Sequence, residues 1–284
     1  MRLLLPGAPR PFGAELSPAE VAELYAYPGH DRPWLRANMV ESADGAASVG
    51  GRSRGLSGDA DRLVFALLRS LADVILVGAQ TARAERYGPV KPDQIRPELR
   101  AGRPAPPPIA VVSRRLDLDP EAALFTAAPP AARTIVITTE LAPEQRRAEL
   151  ARSTDVIVAG ADTVDLRSAV AALAARGHRR LLSEGGPHLL GELTGAGLID
   201  ELCVTISPTM VGPGPNRIIA GLGLGDAATP GQGVPLRLGH LLEDSSFLFC
   251  RYTAHPPGGD PAEDPASQDR GPQDPAAQDP AGRA

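Results

Sequence analysis

The sequence predicts an α/β protein whose central sheet is mostly parallel, flanked by helices, with antiparallel strands at one edge. Short, continuous apolar runs alternate along the chain with segments of helical periodicity, and this alternation is typical of parallel strands joined by crossover helices. The last two apolar runs, residues 236–242 and 247–253, have no helix between them. We therefore expect these two strands to add antiparallel at an edge of the sheet.

The first elements in the chain are a capped helix and a buried strand. Ser17 can cap the helix, Pro18 suits its first position, and Glu20 can complete a capping box. We therefore expect a helix that ends at about Tyr25 and, after a Pro-Gly pair, a strand over residues 34–40.

The next unit is a helix followed by a strand. Ser57 is expected to cap the helix, with Asp59 and Asp61 in its first turn, where carboxylates are favoured. Residues 74–77 form a continuous apolar run, as expected of a strand that is buried on both faces. The proline-rich residues 87–108 are expected to run irregularly over the surface. The remaining predicted elements are strands at 109–113, 134–138, 156–158 and 202–207, and helices at 143–150 and 166–176.

Composition indicates a soluble protein with one folded domain. The net charge of −5 lies mostly in the C-terminal residues, so the rest of the chain has no strong field to attract nucleic acid. No apolar run is long enough to span a membrane, and Cys203 and Cys250 are expected to be buried thiols in a cytoplasmic protein. No Cys/His pair has the spacing of zinc ligands, so no metal is expected. The domain is expected over residues 1–254, followed by a disordered, acidic, Pro/Ala/Gly-rich tail over 255–284.

The chain is organised around residues 179–193, where a short apolar run turns through Glu184, Gly185 and Gly186 into a helical pattern that begins at Pro187. Glycine lets a ligand approach the backbone closely, and the first amide groups of a helix attract anions. The stretch therefore predicts a phosphate cradle for a nucleotide, with Glu184 at the strand end to meet a substrate. An ordinary strand-to-helix turn is the alternative that this stretch alone leaves open.

Four polar turns follow predicted strands and can share one crevice. They are residues 41–45, 78–81, 113–115 and 184–186. In an open α/β sheet, ligands bind outside the carboxyl ends of the strands, so the four turns together predict a site. Asp44, in the first of them, is either a simple turn residue or a carboxylate that hydrogen-bonds a substrate amine. The alternative for the group as a whole is four separate, solvated loops.

Three segments, in the same order, resemble the pyrimidine reductase family of riboflavin biosynthesis. Residues 35–45 end in Glu-Ser-Ala-Asp-Gly, residues 61–85 contain Val-Gly-Ala-Gln-Thr-Ala-Arg-Ala-Glu, and residues 181–212 contain Ser-Glu-Gly-Gly-Pro-His-Leu-Leu. The resemblance is strongest over residues 32–252, and it implies a dihydrofolate-reductase-like fold, a homodimer and NADPH as cofactor. A deaminase often precedes this domain, but its zinc signature, His-x-Glu with Pro-Cys-x-x-Cys, does not occur in the sequence, which implies a stand-alone reductase.

The resemblance also implies the residues of the site. Thr81 and Glu85 match a cofactor-contacting Thr-x-x-x-Asp/Glu pair, in which the family usually has Asp where this chain has Glu85. Arg114 and Arg115 follow Ser113, which is implied beside the adenosine ribose, and their charges favour the 2′-phosphate of NADPH. The implied cofactor contacts are Gly55, Gly78, Thr81, Glu85, Ser113, Gly185, Gly186, Pro187, His188, Leu189 and Leu190, the implied substrate contacts are Ser53, Arg69 and Glu184, and the implied catalytic residues are Asp44 and Glu184.

The implied reaction is hydride transfer from NADPH to the ribosyl C1′ of a (5-phosphoribosylamino)pyrimidine, which gives the ribitylamino product. Glu184 and Asp44 would hold the pyrimidine N–H groups, and Arg69 with Arg52 or Arg54 would hold the 5′-phosphate. Two alternatives stay open. One is a dihydrofolate or pteridine reductase on the same fold, with Asp44 at the pterin ring, and the other is a catalytically silent nucleotide-binding module.

Overall fold

The sheet of the computed structural model contains ten strands within the residues that the structure describes, 1–5, 11–29, 31–103, 106–221 and 233–254. The strands are β1 (Arg2–Leu5), β2 (Trp34–Ser42), β3 (Val74–Gly78), β4 (Ile109–Val112), β5 (Ile135–Thr138), β6 (Asp155–Val158), β7 (Arg180–Ser183), β8 (Glu201–Ser207), β9 (Leu236–Asp244) and β10 (Phe247–Ala254). The helices are α1 (Pro18–Leu24), α2 (Asp59–Leu71), α3 (Ala79–Ala84), α4 (Ala123–Thr126), α5 (Glu144–Ala151), α6 (Leu166–Ala175) and α7 (Pro187–Gly195). Short 3-10 helices occur at Ser53–Gly55, Pro92–Gln94, Pro97–Arg100 and Pro130–Ala132.

Seven neighbouring strands of the described sheet are parallel, in the order β8-β2-β7-β3-β4-β5-β6. The sheet continues from β8 as β10, β9 and β1, each antiparallel to its neighbour. The predicted fold class, a mostly parallel sheet with antiparallel strands at one edge, is therefore confirmed. Strand β1 is not among the predicted strands, because four residues are too few to show a period and its partner β9 lies near the other end of the chain.

Strand β3 shows how the core is divided between the two faces of the sheet. Val74 and Leu76 pack into one hydrophobic cluster with residues of α6 and α7. Ile75 and Val77 pack into a second cluster with residues of α1 and α2. Because successive side chains of a strand point to opposite faces, helices cover the sheet on both sides, and the apolar run is buried on both faces as predicted.

The start of α1 matches its prediction, and the start of α2 does not. Ser17 and Glu20 form the predicted capping box, in which Glu20 N donates to Ser17 Oγ (3.4 Å) and Ser17 N donates to Glu20 Oε2 (2.9 Å). At α2 the N-cap residue is Gly58, so the prediction that Ser57 caps this helix is wrong. A Cβ at Gly58 would lie 2.8 Å from Cζ of Phe247. Close packing against the C-terminal hairpin, which β9 and β10 form, therefore requires glycine at this position.

The described residues of the proline-rich segment, 87–103 and 106–108, are partly buried rather than an excursion over the surface. Val90, Ile95 and Arg100 are 4%, 3% and 3% exposed, respectively. Arg100 Nη1 donates to the carbonyl oxygen of Ser70 (3.1 Å), in the last turn of α2. Apolar residues between the prolines give the segment a buried side, so the surface prediction is wrong for these residues.

The remaining predictions about the whole chain have different outcomes. Cys203 and Cys250 are free and buried, as predicted. No helix in the described part of the chain combines the length and the apolar character that a membrane span needs. Met1–Ala254 form one compact unit, and the predicted tail, residues 255–284, lies outside the described residues.

Candidate active site

The four turns that are predicted to share a crevice follow four adjacent parallel strands. β2, β7, β3 and β4 are neighbours in the sheet, and the segments 41–45, 184–186, 78–81 and 113–115 lie at their carboxyl ends in that order. In the third of these segments, residues 79–81 form the first turn of α3. Parallel neighbours present their carboxyl ends at the same edge of a sheet, where ligands bind in this class of fold. The turns therefore lie side by side and form a candidate site.

The two glycines after β7 let neighbouring segments come into close contact at this edge. Gly78 N donates to Gly185 O (2.9 Å). A Cβ at Gly186 would lie 2.1 Å from Thr81 Oγ1. A Cβ at Gly185, where φ is +82°, would lie 2.9 Å from Met39 Sδ. Thr81 at the start of α3 and the turn before α7 are therefore in direct contact, which a side chain at position 186 would prevent.

The first turn of α7 directs its backbone amide groups towards the same edge. Leu190 N donates to Gly186 O (2.9 Å), which closes the first hydrogen bond of the helix. The positions before it are Pro187, which has no N–H, and then His188 and Leu189, whose amide groups precede the first intrahelical bond. Together with the positive end of the helix dipole, this turn can bind an anion such as a diphosphate.

The side chains of Arg69 and Glu184, both predicted to contact substrate, bind each other. Nε of Arg69 lies 2.7 Å from Oε1 of Glu184 and Nη2 lies 2.8 Å from Oε2, and the two side chains are 6% and 1% exposed. Burial disfavours the charged form of Arg69, but the Glu184 carboxylate outweighs burial and raises the pKa of Arg69 above its usual value. The ion pair joins the last turn of α2 to the end of β7.

Two residues that the sequence did not single out complete this buried group. The hydroxyl of Tyr87 donates to Glu184 Oε2 (2.7 Å), and Arg69 Nη1 donates to Gln94 Oε1 (3.1 Å). Burial, followed by the nearby Glu184 carboxylate, raises the pKa of Tyr87 well above its usual value, so the phenol stays protonated and acts as a donor. Both residues lie in or beside the proline-rich segment, where no periodic pattern signals which side chains turn inward.

Ser53 and Glu85, predicted to contact substrate and cofactor respectively, are also bonded to each other. Oε1 of Glu85 accepts from Ser53 N (2.8 Å) and from Ser53 Oγ (3.0 Å). Glu85 therefore fixes the 3-10 turn Ser53–Gly55 against the end of α3. Gly55 is exposed, and a Cβ there would lie 2.8 Å from Cβ of Val49.

Asp44 is exposed at the end of β2, but hydrogen bonds from within the chain engage both of its carboxylate oxygens. The Ser42 hydroxyl donates to Oδ1, Val211 N lies 3.1 Å from Oδ1 and 3.2 Å from Oδ2, and Gly212 N lies 2.7 Å from Oδ2. The Ser42 hydroxyl, followed by the Gly212 and Val211 amides, lowers the pKa of Asp44 to about 2. The carboxylate is therefore ionised at neutral pH.

Ser113 and the two arginines after it lie at the carboxyl end of β4. Ser113 is 6% exposed, and its amide donates to Ile137 O (2.9 Å), which continues the pairing with β5. Arg114 and Arg115 are exposed beside an open pocket of about 330 Å³. The pocket is lined by Arg114, Arg115, Thr139, Leu141, Ala142, Pro143 and Asp162. The two arginines of the pocket can bind an anionic group, whereas the carboxylate of Asp162 repels an anion. Among the described residues, no group of three or more His, Cys, Asp or Glu could hold a metal ion.

Comparison with known families identifies the fold and its relatives. Residues 33–244 match the model of the RibD C-terminal domain. The chain belongs to the RibD C-terminal domain family. This membership confirms the predicted resemblance to the pyrimidine reductases of riboflavin biosynthesis.

Two archaeal relatives of this RibD C-terminal domain are named 2,5-diamino-6-ribosylamino-4(3H)-pyrimidinone 5′-phosphate reductase. The protein from Methanothermobacter thermautotrophicus is 31% identical over 227 residues, which cover 78% of this chain and 98% of the relative. The protein from Archaeoglobus fulgidus is 30% identical over 184 residues, which cover 64% of this chain and 83% of the relative.

Solved structures agree with the assignment of the fold. A pyrimidine reductase-like protein from Corynebacterium diphtheriae is similar with a TM-score of 0.69 and 29% identity, covering 79% of this RibD C-terminal domain chain and 92% of that protein. Acinetobacter baumannii RibD has the same fold with a TM-score of 0.61 and 19% identity, covering 79% of this chain and 59% of that one.

Proposed function

We propose that this protein is an NADPH-dependent pyrimidine reductase, which reduces the ribosyl C1′ of a (5-phosphoribosylamino)pyrimidine to the ribitylamino product. The observation that carries the proposal is the contact between Thr81 and Gly186 at the start of α7. Strand β3 lies between β7, which leads into α7, and β4, which the exposed Arg114 and Arg115 follow. Membership of the RibD C-terminal domain family, and relatives named as pyrimidine phosphate reductases, support it.

The proposed cofactor fits the α7 end of the site. The amide groups of His188 and Leu189 would hold the diphosphate. The backbone of Gly185 and Gly186, which has no side chains, and Thr81 would lie beside it. Arg114 and Arg115 would hold the 2′-phosphate through charge-assisted hydrogen bonds. When bound, NADPH supplies the hydride.

The proposed substrate end lies around the 3-10 turn Ser53–Gly55. Arg52 and Arg54 are exposed on either side of Ser53, and we assign the 5′-phosphate of the substrate to them. Arg69 and Glu184 neutralise each other, so their proposed role is to form the rigid wall behind the pyrimidine. The main contribution of these groups would be to align the sugar with the nicotinamide.

The reaction also needs a proton. Hydride addition to C1′ of the open-chain imine leaves the nitrogen to be protonated. Asp44 is ionised at neutral pH, because its hydrogen bonds hold its pKa at about 2. We therefore propose that water supplies this proton.

Two further expectations belong to the proposal, that the protein acts in the cytoplasm and that it is a homodimer. The chain has a mass of 29.5 kDa, and light scattering should give twice that value. A monomer mass over the range of assay concentrations would contradict the dimer.

The decisive experiment measures NADPH consumption with the diamino and the deaminated forms of the pyrimidine phosphate and with dihydrofolate. We expect consumption with one or both pyrimidines, and NADPH deuterated at nicotinamide C4 should leave deuterium at C1′ of the ribityl product. Consumption with dihydrofolate alone would instead support a pteridine reductase. Binding of NADPH without consumption in any of the three assays would support a silent nucleotide-binding module.

A further inference from the structure

The segment after β8, residues 208–221, which we call the strap, runs from the turn after β2 to the start of α7. At its first end Ala43 N donates to Thr209 O (2.9 Å) and Ala47 N donates to Asn216 O (2.8 Å). These bonds bracket Asp44. The strap is therefore attached to the turn on both sides of this carboxylate.

Asp44 supplies the central attachment. Its two oxygens accept from the amides of Val211 and Gly212, with distances between 2.7 and 3.2 Å, and from the Ser42 hydroxyl. A carboxylate that accepts backbone amides makes charge-assisted bonds, which are stronger than bonds between neutral groups. Its exposed position would suit a substrate ligand, but its hydrogen-bonding capacity is directed at the strap.

The other end of the strap lies directly on α7. Ala220 N donates to Pro187 O (3.0 Å), in the first turn of the helix. A Cβ at Gly191 would lie only 2.5 Å from Ala220 O, so the strap approaches the helix as closely as glycine allows. A Cβ at Gly221 would lie 3.5 Å from Nδ1 of His188. The strap thus contacts the turn whose amide groups can bind a diphosphate.

We propose that Asp44 is a positioning residue, which sets the place of the first turn of α7 through the strap and thereby tunes the affinity for the cofactor diphosphate. This inference rests on the proposed function of α7 as the diphosphate site. It replaces the direct substrate contact expected of Asp44 with an indirect role at the cofactor. Loss of the carboxylate would free the amides of Val211 and Gly212 and loosen the strap, which also carries the bond from Ala220 to Pro187.

The first test compares NADPH binding by fluorescence titration in Asp44→Ala, Asp44→Asn and a matched control. Asp44→Ala should raise the Kd for NADPH about tenfold, which is about 1.4 kcal/mol. Asp44→Asn keeps one acceptor oxygen, so its Kd should fall between those of Asp44→Ala and the wild type.

The matched control is Asp165→Ala. Asp165 caps α6 with the same set of bonds, from the amides of Arg167 (2.9 Å) and Ser168 (3.2 Å) and from the Ser168 hydroxyl (2.8 Å), but it has no bond to the strap among those of the described residues. The control should lower the melting temperature and leave the Kd for NADPH within about twofold of wild type.

A second test acts on the other end of the strap and needs no activity. Gly191→Ala should also raise the Kd for NADPH. In the double variant with Asp44→Ala, the fold increase in Kd should be smaller than the product of the two single increases, because both substitutions disrupt the same connection between Asp44 and α7. In Asp44→Ala, the amide hydrogen of Ala220 should exchange faster with deuterium than in the wild type.

Three outcomes decide the proposal. Wild-type affinity for NADPH in Asp44→Ala, together with lost turnover of the pyrimidine, would overturn it in favour of a direct substrate contact. An unchanged rate of amide hydrogen exchange at Ala220 in Asp44→Ala would overturn the proposed connection between Asp44 and α7 through the strap. Failure of the wild type itself to bind NADPH would instead contradict the proposed function, while the exchange measurement would still report on the strap.

Discussion

The guanidinium of Arg69 and the carboxylate of Glu184 form a buried, two-point ion pair. The Tyr87 hydroxyl donates to this carboxylate, and the ring centroid of Phe65 lies 4.2 Å from Cζ of Arg69. The pair connects residues 115 positions apart, on α2 and after β7. Each charge neutralises the other in a region where an isolated charge would be costly to bury. The geometry of the strand end therefore depends on both residues being present.

Replacement of Glu184 by Gln should destabilise the fold, because it leaves the buried guanidinium of Arg69 without a countercharge. We expect a loss of about 3 kcal/mol in the free energy of unfolding, measured by urea denaturation. Turnover of the pyrimidine should fall while the affinity for NADPH changes little. The control is Asp59→Asn, which breaks an exposed pair with Arg62 and should leave the denaturation midpoint close to wild type. Equal midpoints for the two variants would show that the buried pair is unimportant for stability.

Replacement of Gly186 by Ala should lower both the melting temperature and the affinity for NADPH, because the new Cβ would lie 2.1 Å from Thr81 Oγ1. The combination with Thr81→Ala removes that oxygen and leaves the nearest contact at 3.4 Å, to Cβ of residue 81. The double variant should therefore melt at a higher temperature than Gly186→Ala alone. A double variant that is no more stable than the single one would mean that the Thr81 contact is not what requires glycine here.

Replacement of Arg114 and Arg115 by Ala should reduce the preference for NADPH over NADH. We expect the ratio of the two kcat/KM values to fall at least tenfold, or about 1.4 kcal/mol, since the charges proposed to hold the 2′-phosphate are lost. Asp162 lines the same pocket, so Asp162→Asn should shift the ratio in the opposite direction. A ratio that does not respond to either change would place the 2′-phosphate elsewhere.

His240 should make the protein sensitive to mild acid. It is 1% exposed in β9, with its ring 4.7 Å from that of Tyr25. Burial, followed by the charge of Arg251, lowers its pKa from 6.5 to about 3. As the pH falls, the unfolded chain therefore takes up the proton before the folded protein does. The contribution of neutral His240 to the free energy of unfolding is complete above about pH 6.5 and is lost as the pH falls towards 3.

The test is the pH dependence of urea denaturation in His240→Gln. The slope of unfolding free energy against pH should be shallower than in the wild type, by about 0.7 kcal/mol per unit at pH 6.5 and by about 1.4 kcal/mol per unit near pH 4.5. This window excludes the buried Glu201, whose pKa is lowered from 4.5 to about 2, so its contribution is lost only at lower pH. The half-buried His178 provides the control, and His178→Gln should change the slope less. Identical slopes for His240→Gln and wild type would contradict the prediction.

Patterns between near neighbours in the chain were enough to predict much of the molecule. The apolar run at 74–77 indicates a strand that is buried on both faces, and the Ser17–Glu20 box indicates the start of α1. These signals are short-range because periodicity and capping depend on residues a few positions apart. They do not extend to β1, whose pairing is long-range, or to Gly58, whose neighbour Phe247 comes from the C-terminal hairpin.

The sequence by itself determined the fold class, the family and the four turns at one edge of the sheet, because spacing, glycines and strand order are written along the chain. Only the tertiary structure decided how the polar residues of those turns are used. The sequence predicts each of these charged groups to contact substrate, but the structure shows them bonded within the chain. Arg69 pairs with Glu184, and Asp44 accepts from the amides of Val211 and Gly212. The physical reason is that a carboxylate binds whichever donors the fold brings within reach, and those donors come from distant parts of the sequence.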